Sequence, residues 1–223
     1  MNYKENFIEF MIQSGVLTFG DFTTKSGRKT PYFVNTGNYK TGKQISLLGE
    51  FYAKSIVENL GENGFDFLYG PAYKGIPLAV TTANALYRKY NLDIPFSFNR
   101  KEAKDHGEGG VIVSYTPKDG DRAIIVEDVI TAGTSIRESI PILKNAADVK
   151  IENAIISVDR MEKGEGNKTA VQEALDEYGI NVFSIVNIID IVDVMYNREV
   201  NGKILVNGDM KKRIEAYISQ YCI

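Results

Sequence analysis

Glu127 and Asp128 stand at the end of the apolar run Ala123 to Val126 and are followed directly by VITAGTS, a turn rich in Thr, Gly and Ser. The two halves of this string suit different chemistries. Backbone N–H groups at a helix start, the hydroxyls of Thr131, Thr134 and Ser135, and a Gly133 that lets the chain turn tightly all suit a phosphate. Carboxylates repel a phosphate but accept hydrogen bonds. Glu127 and Asp128 therefore fit the hydroxyls of a sugar whose phosphate lies further along the loop, and they can offset positive charge developing on that sugar. Thr134 rather than Lys follows Gly133, which excludes a nucleoside-triphosphate loop of the Walker pattern. An acidic turn with a Thr/Ser helix cap is the plain alternative.

Three further strings place charge where a ligand can meet it. GPAYKGIP follows another apolar run; Gly70 and Gly75 read as sites of unusual backbone angles that expose N–H groups, with Lys74 as a compact cation between them. A Gly/Pro-punctuated turn with a solvated lysine is the alternative there. RKEAKDHGEGG gathers Arg100, Lys101, Lys104 and His106 within seven residues and ends in three glycines within four. Its composition describes a solvated charged loop, mobile when empty. Arg160, in SVDR, has the planar fork that matches a carboxylate, or else makes a surface salt bridge.

The elements that must hold these residues follow from periodicity. Phe65 to Tyr69, Ala123 to Val126, Ala154 to Val158 and Val182 to Val186 read as buried parallel strands. Stretches from about Gln44 to Asn59, Ile76 to Tyr90, Ser135 to Ala146 and Ala170 to Tyr178 read as helices. A first amphipathic helix carries Phe7, Phe10 and Met11, and VLTFGDFTTKSGRKTPYFVNTG alternates about a Ser-Gly turn as a hairpin does. Strands alternating with helices imply an α/β sheet with its ligands at the carboxyl ends of the strands.

At 223 residues the chain is expected to be one domain with additions, 1–223. Its apolar stretches fall short of the roughly 20 residues of a membrane span, and its acidic start is unlike a signal peptide. The single cysteine, Cys222, allows no internal disulfide and fits a reducing cytoplasm; with only one histidine, a Cys/His zinc cage is excluded. A net charge of -3 gives no global pull toward nucleic acid. The expectation is a soluble cytoplasmic protein without nucleic-acid or membrane partners.

The acidic pair with VITAGTS resembles the phosphoribosyl pyrophosphate (PRPP) motif of the type I phosphoribosyltransferases. Together with FTTKSGRKTPYF, GPAYKGIPLA, FNRKEAKDHGEGG and SVDR, in register from about Phe7 to Val186, it resembles the bacterial orotate phosphoribosyltransferases. The resemblance implies an α/β fold: a central, mainly parallel sheet flanked by helices, a small hood from about residues 1–40 plus the C-terminal segment, and a flexible catalytic loop over 100–112. The implied reaction, a step of pyrimidine (UMP) biosynthesis, moves the 5-phosphoribosyl group from PRPP to N1 of orotate, giving orotidine 5'-phosphate and pyrophosphate.

Residue by residue, the resemblance assigns PRPP contacts to Lys25, Tyr73, Lys74, Arg100, Lys101, Lys104 and His106, and to the loop Glu127, Asp128, Val129, Ile130, Thr131, Ala132, Gly133, Thr134 and Ser135. It assigns orotate contacts to Phe33, Val34, Thr131 and Arg160. Lys25, Lys101, Lys104, His106 and Asp128 are the expected catalytic groups, His106 as a proton donor beside the leaving pyrophosphate. Many bacterial members carry an aromatic residue where this chain has Val34, so the backbone contact is what carries over. Mg2+ is implied between pyrophosphate and ribose, held mainly by substrate and water, with no protein ligand assigned. A homodimer is implied, each loop closing over the neighbouring site. Two rival readings stay open: transfer to another base such as a purine, and a non-catalytic PRPP-sensing regulator.

Overall fold

The computed structural model describes residues 2–24, 27–104, 110–130, 133–164 and 166–223, the side chains of 103, 104 and 110 excepted. Along the chain run α1 (Tyr3–Gln13), β1 (Leu17–Thr23), β2 (Lys29–Val34), α2 (Gly42–Leu60), β3 (Phe67–Gly70), α3 (Gly75–Tyr90), β4 (Phe96–Lys104), β5 (Gly110–Ser114) and β6 (Arg122–Val126). They are followed by α4 (Thr134–Ala146), β7 (Lys150–Asp159), α5 (Ala170–Tyr178), β8 (Asn181–Asn187), α6 (Ile188–Met195), β9 (Glu199–Val200), β10 (Lys203–Ile204) and α7 (Gly208–Tyr221).

Six strands form the central sheet in the order β5-β4-β3-β6-β7-β8, parallel except where β5 pairs antiparallel with β4. The strands alternate faces as the pleat requires. Leu68, Ile124, Val126, Ile155 and Val158 enter one core with side chains of α1, α2, α3, α6 and α7. Phe67, Tyr69, Ala123, Ile125, Ala154 and Ile156 enter a second core with α4 and α5. Burial on both faces explains why these strands read as unbroken apolar runs. The expected α/β architecture, with its mainly parallel sheet between helices, is the one found.

The chain leaves β3 toward β4 on one side and β6 toward β7 on the other, so the two central strands flank the topological switch point, where an open α/β sheet leaves a crevice. Outside the sheet, β1 and β2 form an antiparallel hairpin, and α7 packs across β2 with Tyr217 set edge-to-face on Tyr32, ring centres 5.7 Å apart.

The range 100–112, where a flexible loop is expected, is described only in part. Residues 100–104 continue β4 and residues 110–112 belong to β5, with Asn99 opposite Ile112 and Lys104 opposite Gly110. The register breaks between those two pairs, and strand pairing uses main-chain groups that a charged sequence supplies as readily as an apolar one. Asp105, His106, Gly107, Glu108 and Gly109 lie outside the described residues. Among the described residues no helix is long and apolar enough to cross a membrane.

Candidate functional site

Two loops meet at the switch point. The first leaves β3 at Gly70 and enters α3 at Gly75. Its glycines answer a packing demand rather than the expected backbone freedom, since neither has positive φ. A Cβ on Gly70 would lie 2.2 Å from the Gly75 carbonyl oxygen, and one on Gly75 would lie 2.9 Å from the Val126 carbonyl oxygen and closer still to Pro71. The two central strand ends thus approach each other through the missing side chains. The loop is fixed from β4 by Ala72 N–H, which donates to Asn99 Oδ1 at 2.9 Å, and the Ala72–Tyr73 peptide is cis.

The second loop leaves β6 at Glu127, and main-chain bonds hold it in place. Glu127 N–H donates to Ile155 O at 3.0 Å, Ser157 donates to Asp128 O through both N–H and Oγ, and the buried Tyr52 hydroxyl donates to Glu127 O at 2.7 Å. Val129 continues the register with a bridge to Val158. Ile130 points into the core, so only its backbone can meet a ligand. At Gly133, where a tight turn is expected, the chain adopts the left-handed conformation φ 64°, ψ 8°, and α4 begins with Thr134.

Both carboxylates of the pair are buried and differently employed. Asp128 Oδ1 accepts from Val129 N–H at 2.8 Å, while Oδ2 accepts from Thr36 Oγ1 at 2.6 Å and from Lys74 Nζ at 2.6 Å. Lys74 also donates to Thr36 Oγ1 at 3.1 Å, closing a three-membered cluster. Glu127 Oε1 accepts from Asp128 N–H at 2.9 Å. Burial, with the Asp128 charge adding to it, pushes the Glu127 carboxyl up from its usual 4.5 to about 7.

An open cleft of about 410 Å³ spans the two loops, lined by Tyr73, Lys74, Lys101, Glu127, Asp128, Val129, Gly133, Thr134 and Ser135. The Lys101 ammonium lies 5.8 Å from the centre of the exposed Tyr73 ring. The helix ends beside this cleft set it apart. α1, α2, α5, α6 and α7 each have a capping side chain, from Asn2, Thr41, Thr169, Asn187 and Asn207. α3 and α4 have none; at α3, Gly75 N–H already donates to Pro71 O at 2.9 Å and Pro77 has no N–H, so among the described residues it is the α4 start that leaves its first-turn N–H groups for a ligand or solvent. These are the two helices that follow the cleft loops.

The other expected site residues fall into two groups. Phe33, partly exposed, stacks on Phe22 with ring centres 5.6 Å apart, and Val34 pairs with Leu17 across the hairpin and packs on the core. Arg160 follows β7 directly and is largely buried. Its guanidinium sits 5.0 Å from the Tyr32 ring centre and 2.5 Å from Glu162 Oε1. Burial works against this cation, but Tyr32 and Glu162 outweigh it and hold the pKa above the usual arginine range. The sequence reading set an ion pair against a carboxylate-binding role; the structure shows an ion pair, though a buried one. Arg100, like Lys101, sits on β4. Lys25, His106, Thr131 and Ala132 lie outside the described residues, as does the Lys104 side chain.

The phosphoribosyl transferase domain family matches residues 35–194, which includes both loops. Over 219 residues the chain is 54% identical to orotate phosphoribosyltransferase of Clostridium beijerinckii, covering 98% of this chain and 97% of that protein. The chain belongs to the orotate phosphoribosyltransferase family. Another member, from Actinobacillus pleuropneumoniae, is 48% identical, covering 98% of both chains. Among solved members, the Francisella tularensis enzyme superposes with a TM-score of 0.85 at 34% identity, covering 98% of this chain and 100% of that one.

Thr36, Tyr52, Asn99, Ser157 and Glu162 were not singled out by the sequence. Thr36 is 92 residues from its partner Asp128 and Tyr52 is 75 from Glu127, so no local spacing could reveal them. Glu162 had one available signal, its place two residues after Arg160 at a strand end.

Proposed function

We propose that the chain is an orotate phosphoribosyltransferase in its own right, transferring the 5-phosphoribosyl group of PRPP to N1 of orotate and releasing pyrophosphate. The observation that carries this is a buried acidic pair at the switch point, set between the uncapped start of α4 and the loop that carries Lys74. PRPP has a phosphate at one end, a pyrophosphate at the other and hydroxyls between them, the sequence of demands this cleft answers.

In this reading the 131–135 loop and the α4 start hold the 5'-phosphate, and Asp128 with Glu127 accepts hydrogen bonds from the ribose hydroxyls. Tyr73, Lys74, Arg100 and Lys101 receive pyrophosphate. Lys25, Lys104 and His106 complete the set. As the glycosidic bond breaks, the sugar gains positive charge, which the acidic pair offsets, while the cations stabilise the leaving group. Phe33, the Val34 backbone and Thr131 place the base, and Arg160 takes its carboxylate. The β1–β2 hairpin with α7 acts as the cover over the base.

Mg2+ fits a donor set made of oxygens. Among the described residues no three His, Cys, Asp or Glu side chains converge, and Asp128 Oδ2 is already occupied by Lys74 and Thr36. Magnesium would therefore draw most of its oxygens from substrate and water, and when bound it neutralises charge on the pyrophosphate. We place the enzyme in the cytoplasm as a homodimer; sedimentation should give about twice the 24.9 kDa chain mass.

Incubating the protein with PRPP, Mg2+ and orotate while following orotate absorbance tests the activity. Consumption of orotate that requires PRPP is expected. Transfer to hypoxanthine or adenine in its place would make the chain a purine enzyme, and PRPP binding without any transfer would make it a sensor.

A further inference from the structure

Two arginines converge on one carboxylate beside the end of β7. Arg160 Nη2 lies 2.5 Å from Glu162 Oε1, Arg28 Nη2 pairs with Oε2, and the Tyr217 hydroxyl donates to Oε1 at 2.6 Å. The side chains of Arg160, Arg28 and Glu162 are only 15%, 25% and 16% exposed, and Tyr217 is buried. Aromatic rings fix both guanidinium planes: Arg160 over Tyr32 at 5.0 Å, Arg28 over Tyr217 at 5.7 Å and over Tyr221 at 5.1 Å. Glu162 is itself tied to the chain end. It bridges to Cys222, Lys163 N–H donates to Tyr221 O, and Ile223 N–H donates to Met161 O.

The charges in this cluster do not balance. Among the described residues, every ion pair of Arg28 and Arg160 goes to Glu162, leaving two cations on one anion. A mostly buried surplus charge is costly unless another anion completes it. A cluster serving stability alone would gain from balance, whereas one that awaits a ligand carboxylate needs the surplus. A single carboxylate in ion-pair contact with both guanidiniums holds them in place, and Arg160 Nε and Nη2 have no hydrogen-bond partner among the described residues.

We infer that Glu162 is a positioning residue for the acceptor base: it holds Arg160, with Arg28 beside it, in the orientation that meets the carboxylate of orotate, and Tyr217 orients Glu162. The C-terminal helix α7 is thereby part of acceptor recognition, although none of its residues needs to touch the base. This rests on the reading that Arg160 receives that carboxylate.

The test measures KM for orotate and for PRPP, and kcat, in Glu162→Gln, Tyr217→Phe, Arg160→Ala and the Arg160→Ala/Glu162→Gln double variant. Glutamine keeps the volume but turns a donor toward one of the arginines. The expected result is an orotate KM raised about tenfold in Glu162→Gln and about threefold in Tyr217→Phe, with PRPP KM within about twofold. Glu162→Asp, which retains the charge, should recover part of the loss. In the double variant, orotate KM should match that of Arg160→Ala alone, because Glu162 acts through Arg160. An orotate KM that stays at the wild-type value in Glu162→Gln, or in a well-folded Tyr217→Phe if the former does not fold, overturns the positioning role while leaving Arg160 in place. Equal losses for orotate and PRPP in Arg160→Ala would instead remove the reading beneath it.

Discussion

The clusters around Asp128 and around Glu162 are both built on a carboxylate that receives a cation and a hydroxyl, yet their charge ratios differ. Asp128 holds one lysine and Thr36, a balanced pair at the edge of an open cleft. Glu162 holds two arginines and Tyr217, an excess of one positive charge in a mostly buried setting. A balanced pair must be opened before either member can serve a ligand, which suits a substrate that brings both an anion for Lys74 and hydroxyls for Asp128. An unbalanced one is completed by a ligand that brings only an anion. In the proposed reading, the same carboxylate chemistry serves the sugar-phosphate end of the reaction at one cluster and the acidic base at the other.

Removing the anion of the balanced pair should have the largest effect. Asp128→Asn keeps an acceptor for Thr36 but releases Lys74 and lowers the negative potential at the ribose, so kcat/KM should fall by about a hundredfold to a thousandfold with folding retained. Near wild-type turnover would remove Asp128 from the chemistry. Lys104→Ala, on the arm, is expected to lower kcat by about a hundredfold; normal turnover would exclude the arm from catalysis.

Arg160→Ala acts on the unbalanced cluster. Loss of a charge-assisted contact should weaken orotate binding by about tenfold to a hundredfold and leave PRPP nearly unaffected, which calorimetry can separate. Thr36→Val, which keeps shape but removes the donor to Asp128 Oδ2, should be milder, about tenfold in kcat/KM. If it equals Asp128→Asn, the hydroxyl does more than orient the carboxylate.

Glu127 gives a stability signature in addition to its part at the ribose. Its folded-state pKa is raised to about 7 from the usual 4.5 by burial, so between those values the folded chain binds more protons than the unfolded one. Stability should therefore fall as pH rises through that window, by at most on the order of 3 kcal/mol from this group. Glu127→Gln should flatten that slope in denaturant titrations at pH 5 and pH 8. An unaltered slope would show that burial of this carboxyl costs the fold little.

The sequence made the frame and the cleft loops readable for a physical reason. Strands buried on both faces need apolar residues at every position, so β3, β6, β7 and β8 stood out, and Gly133 was placed correctly because its left-handed turn excludes most side chains. The β4–β5 arm did not stand out, since beyond Asn99 its sequence is charged and its register breaks before Lys104 pairs with Gly110. Gly70 and Gly75 were noticed for the wrong reason; close approach of two backbones leaves no periodic trace. Most hidden were the partners that complete each cluster. Thr36 and Asp128, or Arg28 and Glu162, 134 residues apart, meet only once the sheet and hairpin are assembled.

The division of labour between the two clusters is tested most directly by measuring PRPP affinity and orotate KM side by side in Lys74→Ala and Arg160→Ala. The account predicts a crossover: Lys74→Ala loses PRPP affinity by about tenfold or more with little change for orotate, and Arg160→Ala does the reverse. Parallel losses of both substrates in both variants would contradict it, because the two clusters would then serve a single undivided site.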